Sequence, residues 1–101
     1  MTREVERTDD GRYVVVDGRR WRTADPALPD DVRERLLHYL GVGRSGVRTA
    51  KKAGDDAAVA AARARVQLAR TGLWERGTAW WEQSDDERRA RWEGALRSLG
   101  G

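Results

Sequence analysis

The chain contains no cysteine, a single histidine and two prolines among its 101 residues. Without cysteine it can form neither a disulfide nor a thiolate metal site, and nothing identifies its redox compartment. His38 has no second imidazole with which to share a zinc ion. We therefore expect no metal and no cofactor.

Long apolar runs are also missing. No stretch approaches the roughly 18 residues needed to cross a bilayer, and residues 1–7 lack the apolar segment of a signal peptide. These absences predict a cytoplasmic protein without a membrane partner. Residues 1–11 mix charges without apolar periodicity, so we expect a disordered tail there. Residues 12–101 are long enough for a single small α+β domain.

A β-hairpin is the clearest local pattern in the sequence. In residues 12–22, β-branched and aromatic side chains flank Asp17-Gly18, a pair that accepts the positive φ angles of a type I′ turn. The resulting register places Val14, Val16 and Trp21 on one face. Because a lone hairpin is marginal in water, we expect that face to pack on helices.

Two later segments have apolar residues at helical spacing, joined at Gly54-Asp55. We predict an antiparallel helical hairpin whose small residues let the helix axes approach closely. The first helix is expected to bend but to continue through Gly41, Gly43 and Gly46. A break between Leu40 and Gly46 is the alternative, since each glycine costs about 1 kcal/mol relative to alanine. The two stripes comprise Val32, Leu36, Leu40, Gly43, Val47 and Ala50, and then Val59, Ala62, Val66, Ala69 and Leu73.

The C-terminal third combines a tryptophan-rich segment with a third helix. Residues 84–87 read Ser-Asp-Asp-Glu, a capping box that predicts a helix start at Ser84. Leu73 to Trp81 hold three of the five tryptophans. If that segment is extended, Trp80 and Trp81 face opposite ways, so one is expected in the core and the other as a docking residue. The predicted fold class is α+β, an N-terminal β-hairpin packed on a long antiparallel helical hairpin, plus a C-terminal helix.

Two sequence elements resemble a family of short bacterial proteins of unknown function, whose members often carry the label "biopolymer transporter Tol". The elements are Gly-Arg-Arg-Trp-Arg at residues 18–22 and Arg-Gly-x-x-Trp-Trp at residues 76–81, and the resemblance covers residues 11–82. It implies a bacterial origin but no established activity. The transporter label disagrees with the lack of a membrane-spanning run.

No catalytic pattern stands out. Residues 41–46 match the glycine spacing of nucleotide-binding loops, but the preceding residues are helical in pattern, whereas that fingerprint follows a strand. Ser45, Ser84 and Ser98 are the serines, and no general base is evident for any of them. The carboxylates after Ser84 are explained by the helix dipole. We therefore expect no enzyme and no catalytic residues.

Positive charge is concentrated in residues 44–73, which carry seven Lys and Arg against two Asp and Glu. Most basic residues in the chain are arginines, a bias that a GC-rich coding sequence also produces. Helical spacing gathers the basic residues of this segment on one face, and the hairpin adds arginines beside Tyr13, an aromatic ring suited to stacking. The candidate nucleic-acid-binding residues are Arg20, Arg22, Arg44, Arg48, Lys51, Lys52, Arg63 and Arg70.

These features predict a non-enzymatic module that associates with nucleic acid by binding the phosphate backbone. A merely solvated basic face is the alternative reading of the charge. The second functional hypothesis is a protein-interaction or self-assembly module. It would use the exposed member of the Trp80-Trp81 pair and the alanine-rich helix faces to bind another protein or a second copy of the chain.

Overall fold

The computed structural model describes residues 5–100, and within that range the chain forms a three-stranded sheet and three α-helices. This arrangement confirms the predicted α+β class with a helical hairpin and a C-terminal helix. The elements are β1 (Val5–Arg7), β2 (Tyr13–Val16), β3 (Arg19–Arg22), α1 (Asp30–Ala53), α2 (Asp56–Leu73) and α3 (Asp85–Leu99), with a 3₁₀ turn at Trp80–Glu82.

The β2–β3 hairpin has the predicted turn and register. Val16 pairs with Arg19 and Val14 with Trp21. Asp17 has φ of 52° and Gly18 has φ of 77°, so both turn residues are left-handed, as a type I′ turn requires.

The prediction of a disordered tail over residues 1–11 is wrong for residues 5–11. Residues 5–7 form β1, which pairs antiparallel with β2 and places Arg7 opposite Val14. A turn follows, in which Thr8 Oγ1 donates to Asp10 Oδ1 at 2.6 Å and Gly11 N donates to the Thr8 carbonyl at 2.9 Å. Strand pairing uses backbone groups that every residue carries, so it needs no apolar periodicity. Residues 1–4 lie outside the described residues.

The prediction of which hairpin face packs on the helices is wrong as well. Trp21 is 50% exposed, and Val14 and Val16 are only half-buried. Tyr13, on the opposite face, contacts Trp81 instead. Both faces carry a valine and an aromatic residue, so alternation alone could not decide which one meets the helices.

The first helix runs without a break from Asp30 to Ala53, so the predicted continuity through the three glycines is confirmed. Gly43 faces α2 so closely that a Cβ atom there would lie 2.8 Å from Val66 Cγ2. A Cβ at Gly46 would lie 3.4 Å from Ala62 Cβ, whereas Gly41 faces open space. Two of the three glycines therefore permit the close approach of α1 and α2.

Helices α2 and α3 each begin at a capping residue, and a glycine lies where they pack together. Asp55 caps α2 by accepting from Ala58 N at 3.0 Å. The predicted capping box at α3 is present, with Ser84 Oγ accepting from Glu87 N at 3.2 Å. Gly72 lets α3 approach α2, since a Cβ there would lie 2.7 Å from Ala95 Cβ.

The apolar core lies between the three helices. Its buried members are Leu28, Leu36, Leu40, Val66, Ala69, Leu73, Trp92, Ala95 and Leu96. Within residues 5–100, no strand residue belongs to this cluster, so the sheet is attached to a helical core rather than forming part of it. No helix in the same range is both long enough and apolar enough to span a membrane.

Candidate functional site

The tryptophan segment joins the sheet to the helices. Trp80 and Trp81 lie in a 3₁₀ turn rather than in an extended strand, and both are half-buried. Trp80 Nε1 donates to the Thr23 carbonyl at 2.9 Å, and Trp81 meets the Tyr13 ring edge-on at a centroid distance of 5.2 Å. The expectation of one core and one outward tryptophan is therefore wrong, because it assumed extended backbone.

Asp25, in the segment between β3 and α1, also binds residues at this junction of sheet and helices. The residue is 3% exposed, and its carboxylate accepts from Arg91 Nη2 at 2.8 Å and from Arg88 Nε at 3.1 Å. It also accepts from Ala27 N at 2.9 Å, a contact that closes a local turn around Pro26. Burial by itself raises the pKa of Asp25, but the hydrogen bonds from Arg88, Arg91 and Ala27 outweigh it and hold the pKa below its ordinary value.

Arg91 links Asp25 to other segments of the chain, so the cluster of Asp25, Arg88 and Arg91 has a structural role. Arg91 donates to Gln83 Oε1 at 2.7 Å and to the Leu73 carbonyl at 3.1 Å. The last turn of α2, the segment after it and Asp25 are thereby held together. Sequence reasoning missed this role because Asp25 and Arg91 are 66 residues apart, and no local pattern links them.

A cleft of about 730 Å³ is lined by residues of the hairpin, of α1 and α2, and of the segment after α2. The hairpin contributes Tyr13 and all of β3, which supplies Arg19, Arg20, Trp21 and Arg22. The helices contribute Arg44 from α1 and Arg70 from α2. The segment after α2 contributes Trp74, Glu75 and Arg76.

A shallower groove of about 460 Å³ continues from this cleft between α1 and α2. Arg44 and Arg70 line both cavities, and Arg48 and Arg63 line the groove alone. Val47 and Val66 provide its apolar floor. The arginines that were predicted from two separate helices and a hairpin thus meet on one continuous concave surface, which we call the arginine surface.

The arginine surface has little compensating negative charge. Of the described residues that line the cleft, six are arginines and one, Glu75, is acidic. Glu75 Oε2 lies 3.5 Å from Arg70 Nε, which is buried and makes no hydrogen bond within residues 5–100. No carboxylate of that range forms an ion pair with Arg44, Arg48 or Arg63. Asp55 and Asp56 therefore do not neutralise the surface.

Some predicted residues contribute differently from what was expected. Lys51 and Lys52 lie in the last turn of α1, outside both cavities, where positive charge stabilises a helix C-terminus. Arg22 is half-buried and donates to the Trp74 carbonyl at 3.3 Å, so part of its guanidinium holds the cleft wall.

Tyr13 does not offer the free ring that was predicted for stacking. Arg20 covers it at 4.2 Å from the ring centroid, and Trp81 meets it edge-on. The exposed aromatic residue of the cleft is Trp21, which sequence reasoning assigned to the core.

The remaining sites considered in the sequence are the glycine pattern at residues 41–46 and His38. The glycine pattern at residues 41–46 lies inside α1, not in a loop after a strand, so it does not form a nucleotide-binding loop. His38 is exposed and contacts Tyr39 at a ring-centroid distance of 5.6 Å. Within the described range, no three histidine or carboxylate groups lie close enough to share a metal ion.

Comparison with protein-family models, with curated proteins and with solved structures gave no match to this chain. The resemblance to the short bacterial family therefore stays a prediction.

Proposed function

We propose that the chain is a non-enzymatic nucleic-acid-binding module whose arginine surface holds a phosphate backbone. The observation that carries the proposal is the convergence of arginines from β3, α1, α2 and the segment after α2 on one cleft and its groove. These residues are up to about 57 positions apart in the sequence, between Arg19 and Arg76. A solvated basic face on one helix needs no such convergence.

Electrostatics favours an anionic ligand over an empty surface. Like charges gathered in a concave site repel one another, and the low-dielectric walls concentrate the resulting positive potential. Here six arginines face one carboxylate across the cleft. A polyanion relieves that repulsion and releases its own condensed counterions when it binds.

The type of basic residue favours phosphate in particular. A guanidinium group presents donors in a planar fork that matches two phosphate oxygens, and it keeps its charge at any physiological pH. Backbone contacts of this kind read little sequence.

The experiment compares two single charge reversals. Arg44 lies where the cleft and the groove meet, whereas Arg89 is exposed on α3 and lines neither. Both Arg44→Glu and Arg89→Glu change the net charge by the same amount. Fluorescence anisotropy with a labelled mixed-sequence oligonucleotide measures Kd for each variant between about 50 and 200 mM salt.

We expect wild-type affinity to fall steeply with salt, because each neutralised phosphate adds about 0.7 to 0.9 to the salt slope. Arg44→Glu should weaken binding by about tenfold or more and reduce that slope by about one. Arg89→Glu should change Kd less than about threefold, through the long-range field alone. Absence of binding at the lowest salt, or equal losses for both variants, would contradict the proposal.

A further inference from the structure

Trp21 is a large apolar side chain that the fold leaves at the surface. It is 50% exposed, and it lies outside the buried cluster of the three helices. Its strand β3 is at the edge of the sheet, and all four residues of the strand line the cleft. The exposed part of this ring is apolar area that a stacked ligand would bury.

The surroundings of Trp21 match a base and its phosphates. The Arg19 guanidinium lies 5.1 Å from the ring centroid and covers one face. The other aromatic rings of the cleft are already in contact, since Tyr13 meets Arg20 and Trp81, and Trp74 meets Arg33 at 5.5 Å. Trp21 is therefore the ring in the described part of the cleft that can accept a stacked planar group.

We infer that the cleft binds single-stranded nucleic acid, with one base stacked on Trp21 and the adjacent phosphates on Arg44 and Arg70. This inference rests on the proposed function and specifies its ligand. In a duplex each base is stacked and paired, so its flat face cannot reach a protein ring, whereas an unpaired base presents that face freely. A cleft of about 730 Å³ falls within the usual volume of small-ligand sites, about 300–1,000 Å³.

The test uses the full chain and three ligands of equal length: a single-stranded oligonucleotide, the same strand paired with its complement, and an abasic strand that keeps the phosphates without bases. Wild type should bind the single strand at least about tenfold more tightly than the abasic strand, since stacking of one base is worth roughly that factor. It should also prefer the single strand over the duplex.

Two substitutions at Trp21 separate stacking from charge. Trp21→Ala should weaken single-strand binding by about tenfold and leave abasic binding unchanged, whereas Trp21→Phe, which keeps an aromatic face, should retain most of the affinity. Because Trp21 lies outside the core, both variants should keep the far-UV circular dichroism of the wild type. If Trp21→Ala does not fold, the wild-type preference for the single strand over the abasic strand and the duplex provides the test.

The outcomes distinguish this inference from the proposed function. Equal or tighter binding of the duplex, or equal losses on all three ligands for Trp21→Ala, would overturn single-strand stacking and leave backbone binding intact. Binding to none of the ligands at low salt would overturn both.

Discussion

Asp25 is the residue on which two guanidinium groups converge at the junction of sheet and helices. The Asp25 carboxylate is fully buried, and the side chains of Arg88 and Arg91 are 14% and 5% exposed. Breaking a buried ion pair from one side leaves the opposite charge without compensation, which costs more than the intact pair contributes. The carboxylate therefore matters more to stability than a surface acid does.

We expect Asp25→Asn to lower the free energy of unfolding by about 3–5 kcal/mol, because Arg88 and Arg91 lose their counter-charge. Urea unfolding followed by circular dichroism measures the change. The matched control is Asp85→Asn, since Asp85 is 96% exposed and lies 3.8 Å from the same Arg88. It should cost less than about 1 kcal/mol. Similar losses in the two variants would contradict the role of the buried carboxylate.

Asp25 also predicts a pH dependence with a definite sign. Its pKa is below the ordinary value in the folded state, because hydrogen bonds from Arg88 and Arg91 outweigh the effect of burial. In the unfolded chain the pKa returns to about 3.9. The stabilisation by Asp25 is therefore complete above about pH 4 and is lost as the pH falls toward the lower folded-state pKa.

Unfolding free energies of wild type and Asp25→Asn, measured from pH 7 down to about pH 2.5, test this sign. The difference between the two proteins should be constant near neutral pH and should shrink below about pH 4 as Asp25 is protonated. A difference that stays constant through the acid range would show that Asp25 does not titrate as proposed.

At the scale of elements, the glycines of α1 divide by what they face. Gly43 faces α2, whereas Gly41 faces open space. Glycine in a helix costs about 1 kcal/mol relative to alanine, so of these two glycines only Gly43 has a packing reason. The sequence presents the two as equivalent, since both interrupt the same helical stretch.

Gly41→Ala should raise the free energy of unfolding by about 0.5–1 kcal/mol. Gly43→Ala should lower it by about 1–3 kcal/mol, because the new Cβ would lie 2.8 Å from Val66 Cγ2 and the β-branched valine cannot rotate away freely in a helix. Thermal unfolding of both variants gives the two signs directly. Stabilisation by both substitutions would mean that α1 and α2 can separate without cost.

Most secondary-structure elements were easier to predict than the contacts of the sheet, because they depend on local preferences and the contacts depend on distant residues. The Asp17-Gly18 turn, the capping box at Ser84 and the stop at Gly54 each depend on the conformational preferences of a few adjacent residues. Strand β1 depends on pairing with a backbone already in place, so its side chains carry no signal. Trp80 in the 3₁₀ turn likewise donates to the carbonyl of Thr23, a contact between residues 57 positions apart that no local pattern shows.

For the whole molecule, the helices hold the core and the sheet is an attachment. The buried cluster contains residues of the helices and Leu28, and the sheet is held at Thr23, Tyr13 and Arg22 by a few polar and aromatic contacts. Segments with few buried apolar contacts open at lower free energy than the core does. The sheet should therefore be the less stable part of the described chain.

Native-state amide hydrogen exchange tests this difference. The amides that pair β2 with β3 should exchange faster than those in the central turns of α1 and α2, because the strands can open without exposing the helical core. A ligand in the cleft should slow exchange in β3, since the residues of that strand line the cleft. Equal protection in sheet and helices without ligand would indicate a single cooperative unit.

The sequence by itself determined the α+β class, the hairpin register, the apolar faces of the first two helices and the helix caps, because each follows from local propensity and periodicity. It also identified most of the arginines of the arginine surface. Only the tertiary structure decided which face of the hairpin meets the helices, which arginines neutralise Asp25, and that Trp21 lies in the cleft. These outcomes depend on contacts between residues dozens of positions apart, such as the 63 between Asp25 and Arg88, and a linear pattern does not encode such distances.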